Sequence, residues 1–407
     1  MNKRFVIILT VFIDVLGIGI IVPVLPFYVQ SFGASALTVA LLFAVFSIFS
    51  FFSAPVLGAW SDKIGRRPVL ILSILSTAAG WLIFAVAPSI AWLFIGRIID
   101  GLAAGNFPIA QSYLLDIAKD EKERAANLGV IGATFGVGFI IGPLLGGLLS
   151  RHFLSLPFWF VGFLALANGI LAFFILPESH LGKRAEKKPE INPLRPIIRA
   201  FQAKDLRLGL AAWLMFSLAL AADHSTFSLF IADRFGLGSV AASIFLAGVG
   251  VILIFNQTIA LKKIWLRYFE ENKLTIVFFA LVALSFVTMA LGNLAIFVIG
   301  LILLSLTQSI IRITVTNRIT KRAGKDSQGE VLGIMSSVMS IGMSIGPILG
   351  GALFLIDSRY SYLAAALFAL SAFGLLVIEQ RRGRGVGTLG VTNSELEIEQ
   401  QQIEIAG

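Results

Sequence analysis

The sequence predicts an all-α membrane protein, with twelve transmembrane helices in two pseudo-symmetric six-helix halves. Three observations predict it: composition, the spacing of the apolar runs, and a repeat at half the chain length. Of 407 residues, 57% are hydrophobic and 14% charged, with 39 Gly, 35 Phe and no Cys. Soluble chains carry roughly 45–50% apolar and about 25% charged residues. A soluble enzyme is therefore excluded, as are a disordered chain and a disulfide scaffold. Barrel strands would alternate in polarity over about 10 residues, and no such segments occur.

The elements follow in order. Apolar runs occupy 5–29, 37–60, 69–87, 91–117, 125–149 and 157–176, then 208–232, 238–261, 274–292, 294–317, 330–355 and 360–379. Each is long enough to cross a hydrocarbon core of about 30 Å. Lys3 and Arg4 precede the first run, and Pro23 and Pro26 lie inside it with no small-residue cleavage site after it. It is expected to be a retained span that also serves as the targeting signal. The chain divides into a first half (1–176), a cytoplasmic linker (177–207), a second half (208–380) and a cytoplasmic tail (381–407). Within the linker, 193–202 suggests a short interfacial helix.

Charge orients these spans. With both termini on one side, that side holds 27 of the 32 Lys and Arg, and the other only Arg151, Arg234 and Arg359. The positive-inside rule then puts both termini in the cytoplasm, in a multi-pass protein of the inner (cytoplasmic) membrane. The net charge of +9 is thereby topology, and no nucleic-acid partner is expected.

The segment beginning at Leu128, LGVIGATFGVGFIIGPLLGG, is echoed from Leu332 by LGIMSSVMSIGMSIGPILGG. The pairs Gly138/Gly342, Gly142/Gly346, Pro143/Pro347, Gly146/Gly350 and Gly147/Gly351 share one offset of 204 residues. A common offset across glycines and a proline in the fifth run of each half indicates a duplicated unit, as in transporters. No G-x-x-x-x-G-K-[ST] loop occurs to support an ATP-driven pump. The glycines have two readings, packing seams or surfaces on which one half rocks against the other.

Gly58-Ala59-Trp60-Ser61-Asp62-Lys63-Ile64-Gly65-Arg66-Arg67-Pro68 resembles the signature loop of the major facilitator superfamily, G-x-x-x-D-x-x-G-R-[RK]. Arg97 to Gly105 is similar to the fourth-helix motif, and Gly138 to Gly147 to the fifth-helix motif of the family's antiporters. Asp14 to Gly19 with Pro23-Val24-Leu25-Pro26 resembles the first helix of twelve-span drug:H⁺ antiporters, the tetracycline exporters included. Those exporters are expected to carry an acid in the third helix, where this chain has Gly80, and one in the ninth, where 274–292 is uncharged. The corresponding loop of the second half, LKKIWLRYFEENK, keeps only a trace of the signature.

The resemblance implies a conformational latch at Gly58, Asp62, Gly65, Arg66 and Arg67. Asp62 would lie near a neighbouring helix start, and Arg66 would hold an adjacent carboxylate. It further implies an antiporter-motif hinge at Gly138, Gly142, Pro143, Gly146, Gly147, Gly346, Pro347 and Gly350.

Acids inside spans are costly and usually face a cavity or a partner. Asp14, close to the midplane, reads as a proton acceptor or as a locked structural hydrogen bond. Arg97 and Asp100 are i,i+3 neighbours on a face continued by Gly101, Ala104, Pro108 and Gln111, and read as a coupling pair or a permanent ion pair. In the family the Arg of the fourth-helix motif is associated with proton coupling. Asp223 lies beside His224 in the seventh run, as a relay or a satisfied contact. Arg312 is read as near the cytoplasmic end of its run, within reach of the interface. Gln111, Met335, Met339 and Ser340 are candidate substrate-cavity residues, with helix packing as the alternative for the Met stripe. The three His are scattered and no Cys exists, so no metal, cofactor or catalytic group is expected.

The expected function is proton-gradient-driven export of amphiphilic small molecules by a monomer in the bilayer. A symporter or uniporter importing a metabolite is the alternative, and a non-transporting receptor a more remote one.

Overall fold

The computed structural model describes residues 3–179, 194–203, 206–291, 293–323 and 328–387, and among these every regular element is helical. The first half is built from α1 (Lys3–Gln30), α2 (Ala36–Ile64), α3 (Arg66–Ala85), α4 (Ile90–Leu102), α5 (Asn106–Asp116), α6 (Glu121–Ser150) and α7 (Leu156–Ile175). Then come α8 (Leu194–Gln202), α9 (Arg207–Phe235) and α10 (Ser239–Phe255), which runs through a π-helical stretch (Asn256–Trp265) into α11 (Leu266–Tyr268). The chain ends in α12 (Glu271–Ala290), α13 (Leu294–Ala323), α14 (Gln328–Phe354) and α15 (Ser358–Gly387). Taking α4 and α5 as one span, twelve segments are long and apolar enough to cross a membrane, and this is a multi-pass membrane protein. Linker residues 180–193 and 204–205 and tail residues 388–407 lie outside the described residues.

The fourth run is the one that departs from a continuous helix. Pro108 has no N–H for the carbonyl of Ala104, and its ring would clash there in a helix interior. The chain therefore breaks at Ala103–Gly105 and restarts at α5, where Pro108 lies in the first turn and costs little. The face expected to run unbroken from Arg97 to Gln111 is interrupted at this point. Two helix starts show local logic. Asp120 caps α6 by accepting the Glu123 N–H at 2.7 Å, while the Glu123 carboxylate takes the Lys119 N–H at 2.7 Å. Gly65, between α2 and α3, has φ +107°, which a side chain would strain.

The duplicated glycines turn out to have two separate jobs. A Cβ on Gly142 would lie 2.9 Å from the Gly19 Cα and the Leu16 carbonyl of α1. One on Gly346 would lie 2.8 Å from the Leu218 carbonyl of α9. Gly138 meets Val15, Gly146 meets Ile20, and Gly350 meets Ala222 in the same manner. These positions, with Pro143 against Gly19, therefore seat helices within one half. Of the paired glycines, only the last of each segment faces the other half: Gly147 against Ser243 and Val240 of α10, and Gly351 against Ala36, Leu37 and Ala40 of α2, while the unpaired Gly136 also meets Ile254 of α10.

Further contacts join the halves. Ser228 donates to the Val22 carbonyl at 2.9 Å, the Ser150 and Ser239 hydroxyls lie 3.0 Å apart, and Gly250 packs on Phe139. All of these lie at mid-depth or toward the side away from the termini. On the terminus-bearing side Leu128 and Leu332 are exposed, and Gly129 and Gly333 have no neighbour within 4 Å of a Cβ position. The helix expected at 193–202 forms as α8, and it buries Ile197 and Ala200 in the second-half core.

Candidate functional site

The structure brings Asp14, Arg97 and Asp100 together at the middle of the first half. Asp14 lies eleven residues into α1, about 16 Å at 1.5 Å per residue. Its one hydrogen bond among the described residues comes from the Asn106 amide, at 2.9 Å. The same amide nitrogen donates to the Thr77 hydroxyl at 3.0 Å, and Thr77 also contacts Asp100. Asp100 in turn pairs with Arg97 at 3.4 Å. A polar chain thus runs from α1 through α5 and α3 to α4. Asn106 sits at the start of α5 because the helix breaks before it, and the break is what aims its amide at α1.

The members differ in freedom. The Arg97 guanidinium is 6% exposed and lies 5.1 Å from the ring of Trp81, 5.3 Å from Phe46 and 5.4 Å from Phe84. An unpaired charge at mid-membrane costs at least about 2.5–3.5 kcal/mol, which Asp100 and three aromatic faces offset. Asp14 has no cation partner among the described residues. It is only partly buried, and Ile18, one turn on, is 44% exposed on a helix that has no other exposed residue between its first turn and Gln30 at its end. That face therefore opens into the space between the halves.

Gly80, where the resemblance would place an acid, is filled from across the interface. A Cβ there would lie 2.9 Å from both the Asp100 Cβ and the Gly96 carbonyl. No acidic side chain fits at that position, and α4 supplies one instead.

Asp223 stands apart, in α9 of the second half. It approaches the Tyr362 hydroxyl of α15 without closing a hydrogen bond of good geometry, and its Oδ1 and that hydroxyl are both buried without partner. His224 is partly buried beside it. Gln111 is half-buried on α5, and Ser340 donates back to the Ser336 carbonyl at 3.1 Å. Met335 lies 3% exposed in the second-half core, its carbonyl accepting from the Trp213 indole at 2.9 Å. Met339 packs against the same core. Met335 is therefore not on an open wall. Arg312 is nowhere near a helix end: α13 runs eleven residues beyond it to Ala323, because charged residues extend the helix past the apolar run.

At the terminus-bearing edge, Arg66 is the hub. It pairs with Asp62 at 2.5 Å and Asp116 at 3.2 Å, and donates to the Ser61 hydroxyl at 2.8 Å. The expected carboxylate on Arg66 is thus present. The carboxylate that sits on a helix start, however, is Glu178, which accepts the Arg66 N–H at 2.8 Å and the Arg67 N–H at 3.2 Å at the beginning of α3. Arg67 donates to the Phe173 carbonyl at 2.5 Å, and Gly58 has open space around it. Every described partner of this loop belongs to the first half or, as Glu178, to the start of the linker.

Sequence reasoning missed Asn106, Thr77, Glu178 and the second-half pair Arg318–Glu379, 2.8 Å apart and almost wholly buried. Gly351, paired with Gly147 by the 204-residue offset, was left out of the expected hinge.

The comparisons agree with this architecture. The model of the Major Facilitator Superfamily matches residues 7–295 and 265–393. "Tetracycline resistance protein, class H" of Pasteurella multocida is 33% identical over 68% of this chain and 70% of that one. "Multidrug resistance protein 2" of Bacillus subtilis is 28% identical over 95% of this chain and 97% of that one. Among solved structures, a bacterial homologue of the human lysosomal transporter Spinster, in an inward-facing and occupied conformation, superimposes with a TM-score of 0.75. It is 16% identical, over 93% of this chain and 96% of that one. With twelve spans, a duplicated helix seam and a family match across nearly its whole length, this chain belongs to the major facilitator superfamily and is a transporter, not an enzyme.

Proposed function

We propose that the chain is a proton-coupled exporter of amphiphilic small molecules that works by alternating access. The observation that carries this reading is Asp14, a mid-depth carboxylate without a cation among the described residues, bordering the space between the halves and held by one amide. Arg97 and Asp100 neutralise each other within an aromatic box, so they set the local field while Asp14 exchanges the proton. The charge distribution supports cytoplasmic termini. The halves then meet on the outer side and part on the inner one, an inward-facing state.

Asn106 supplies a means for Asp14 to hold both charge states. Its nitrogen donates to the ionised carboxylate, and its own carbonyl oxygen is buried without a partner. Half a turn of the amide presents that oxygen to the O–H of a protonated Asp14. Neutralising Asp14 lowers the cost of closing the site, and release of the proton inside accompanies substrate rebinding. Each proton entering brings about 2.3 kcal/mol per 100 mV of membrane potential. The names of the tetracycline and multidrug resistance relatives support amphiphilic substrates.

The test uses acid-inside inverted vesicles containing the full chain, with lumenal pH read by a fluorescent probe. Adding an amphiphilic dye outside raises lumenal pH in the wild type, and Asp14→Asn abolishes the response while dye binding persists. A wild-type-sized response in Asp14→Asn removes Asp14 from the mechanism. No response to a broad panel of amphiphiles in the wild type overturns export. A proton-coupled importer gives no lumenal alkalinisation here.

A further inference from the structure

The proton pathway makes no use of Arg312, a cation close to the middle of α13. Its surroundings define where it points. Ser309 receives the Asn256 amide at 2.6 Å, which places the α10 side of the bundle on one flank. Ile311 and Val315, both 0% exposed, place the second-half core on the other. Between these flanks lie Gln308, Arg312 and Thr316, spaced four residues apart. Gln308 and Thr316 are half-buried and Arg312 is exposed. Ser305 and Ile319, above and below on the same arc, are closed off. The opening is therefore local.

It is also not the lipid face. Exposed Ile302 and Ile299 mark that face, and at 100° per residue they lie about 80° and 140° around the helix from Arg312. The side chain accordingly points into the space between the halves.

Arg312 has no ion pair among the described residues. Of the described second-half acids, Glu379 holds Arg318, Glu271 holds Lys321, Glu270 holds Lys273 and Asp357 holds Arg359, while Asp233 lies in the last turn of α9, at the end away from the termini. Asp223 is turned toward Tyr362. An arginine at this depth, open to the cavity and without a counter-ion among the described residues, is completed by a charge that arrives from outside the chain. Its planar fork suits a carboxylate or sulfonate, which accepts two parallel N–H bonds.

We propose that Arg312, with Gln308 beside it, is an anion-accepting subsite of the central cavity, taking the carboxylate or sulfonate of an amphiphilic substrate. The subsite lies in the half opposite Asp14, so a substrate held there leaves the proton site free. This deepens the export reading and rests on it for a cavity that amphiphiles enter.

The experiment uses the purified full chain in lipid nanodiscs and a matched pair of probes, a carboxylate-bearing rhodamine and its ethyl ester. Binding is followed by fluorescence anisotropy. Arg312→Gln is expected to weaken the acid about tenfold or more, the scale of a lost charge-assisted hydrogen bond, and to leave the ester unchanged. Arg312→Lys recovers part of the loss because it keeps the charge without the fork. Retained ester binding shows that each variant is folded. Equal effects on acid and ester, or none on either, overturn the subsite while leaving export intact. Failure of the wild type to bind either probe sinks the subsite and the export reading together.

Discussion

The two halves share their helix packing and differ in almost every charge. Gly142 on Leu16 and Gly346 on Leu218 are the same contact made twice, and so are the contacts between halves at Gly147 and Gly351. The polar groups have no such correspondence. The first half strings Asp14, Asn106, Thr77, Asp100 and Arg97 across four helices. The second has a satisfied amide, Asn256, bonded to the Leu306 carbonyl, Ser309 and Trp265, plus Asp223 beside Tyr362 and Arg312, which has no ion pair among the described residues. The terminus-bearing edges differ too. Arg66 works there among partly exposed carboxylates, whereas Arg318 and Glu379 are sealed in, with Asn272 3.4 Å from Arg318. Close packing fixes shape, which two copies of a bundle must share. Charge is free to specialise, so the half rich in linked ionisable groups is the one to examine for proton traffic.

Breaking the sealed pair gives the largest expected effect. Arg318→Leu or Glu379→Leu alone strands a buried charge, at about 3–5 kcal/mol. The double replacement is expected to regain most of that loss. Detergent melting curves of the three variants check this, and a double mutant as unstable as the singles would mean that the pair itself, rather than the stranded charge, holds α13 to α15. Arg66→Leu, by contrast, affects partly solvated pairs of the first half, worth about 1 kcal/mol or less each.

Next come the glycines. Gly142→Leu and Gly346→Leu press a side chain into a neighbour's backbone, which cannot yield, and overpacking of this kind costs about 1–3 kcal/mol or more. The two losses are expected to be similar, because the contacts are. Gly58→Ala, with open space around it, is expected to be neutral in the same melting assay. Unequal losses at 142 and 346 would show that the halves are not equally packed despite their symmetry.

These contrasts also show how far the sequence reaches. Span positions follow from apolar runs, because no other composition survives in lipid. The break before α5 was implicit in Pro108, whose missing N–H can be read without coordinates. The offset of 204 exposed the duplicated seam, but not that the last of its glycine pairs serves the other half, since that depends on which face of α6 and α14 meets α10 and α2. Asn106 was invisible as a site residue because its partners, Asp14 and Thr77, are 92 and 29 residues away. Glu178 was read as linker, and only folding brings it 112 residues back to the start of α3.

The smallest effects come from two helix starts, one per half, that each take a carboxylate. Glu178 is partly buried on the α3 N–H groups, and Glu178→Ala is expected to cost about 1 kcal/mol, as lost caps do. Asp357 caps α15 by accepting the Arg359 N–H at 2.9 Å and pairs with its guanidinium at 3.2 Å. That backbone bond, helped by the Arg359 side chain, lowers the Asp357 carboxyl below its ordinary 3.8. A lowered value in the folded state means that its contribution is present above 3.8 and fades only as the pH falls through the lowered range. The group is solvent-exposed, so Asp357→Asn should leave the melting temperature at pH 7 within error, while Glu178→Ala lowers it measurably. The reverse order would place the more consequential cap in the second half and show that exposure is a poor guide to the weight of a cap at this membrane edge.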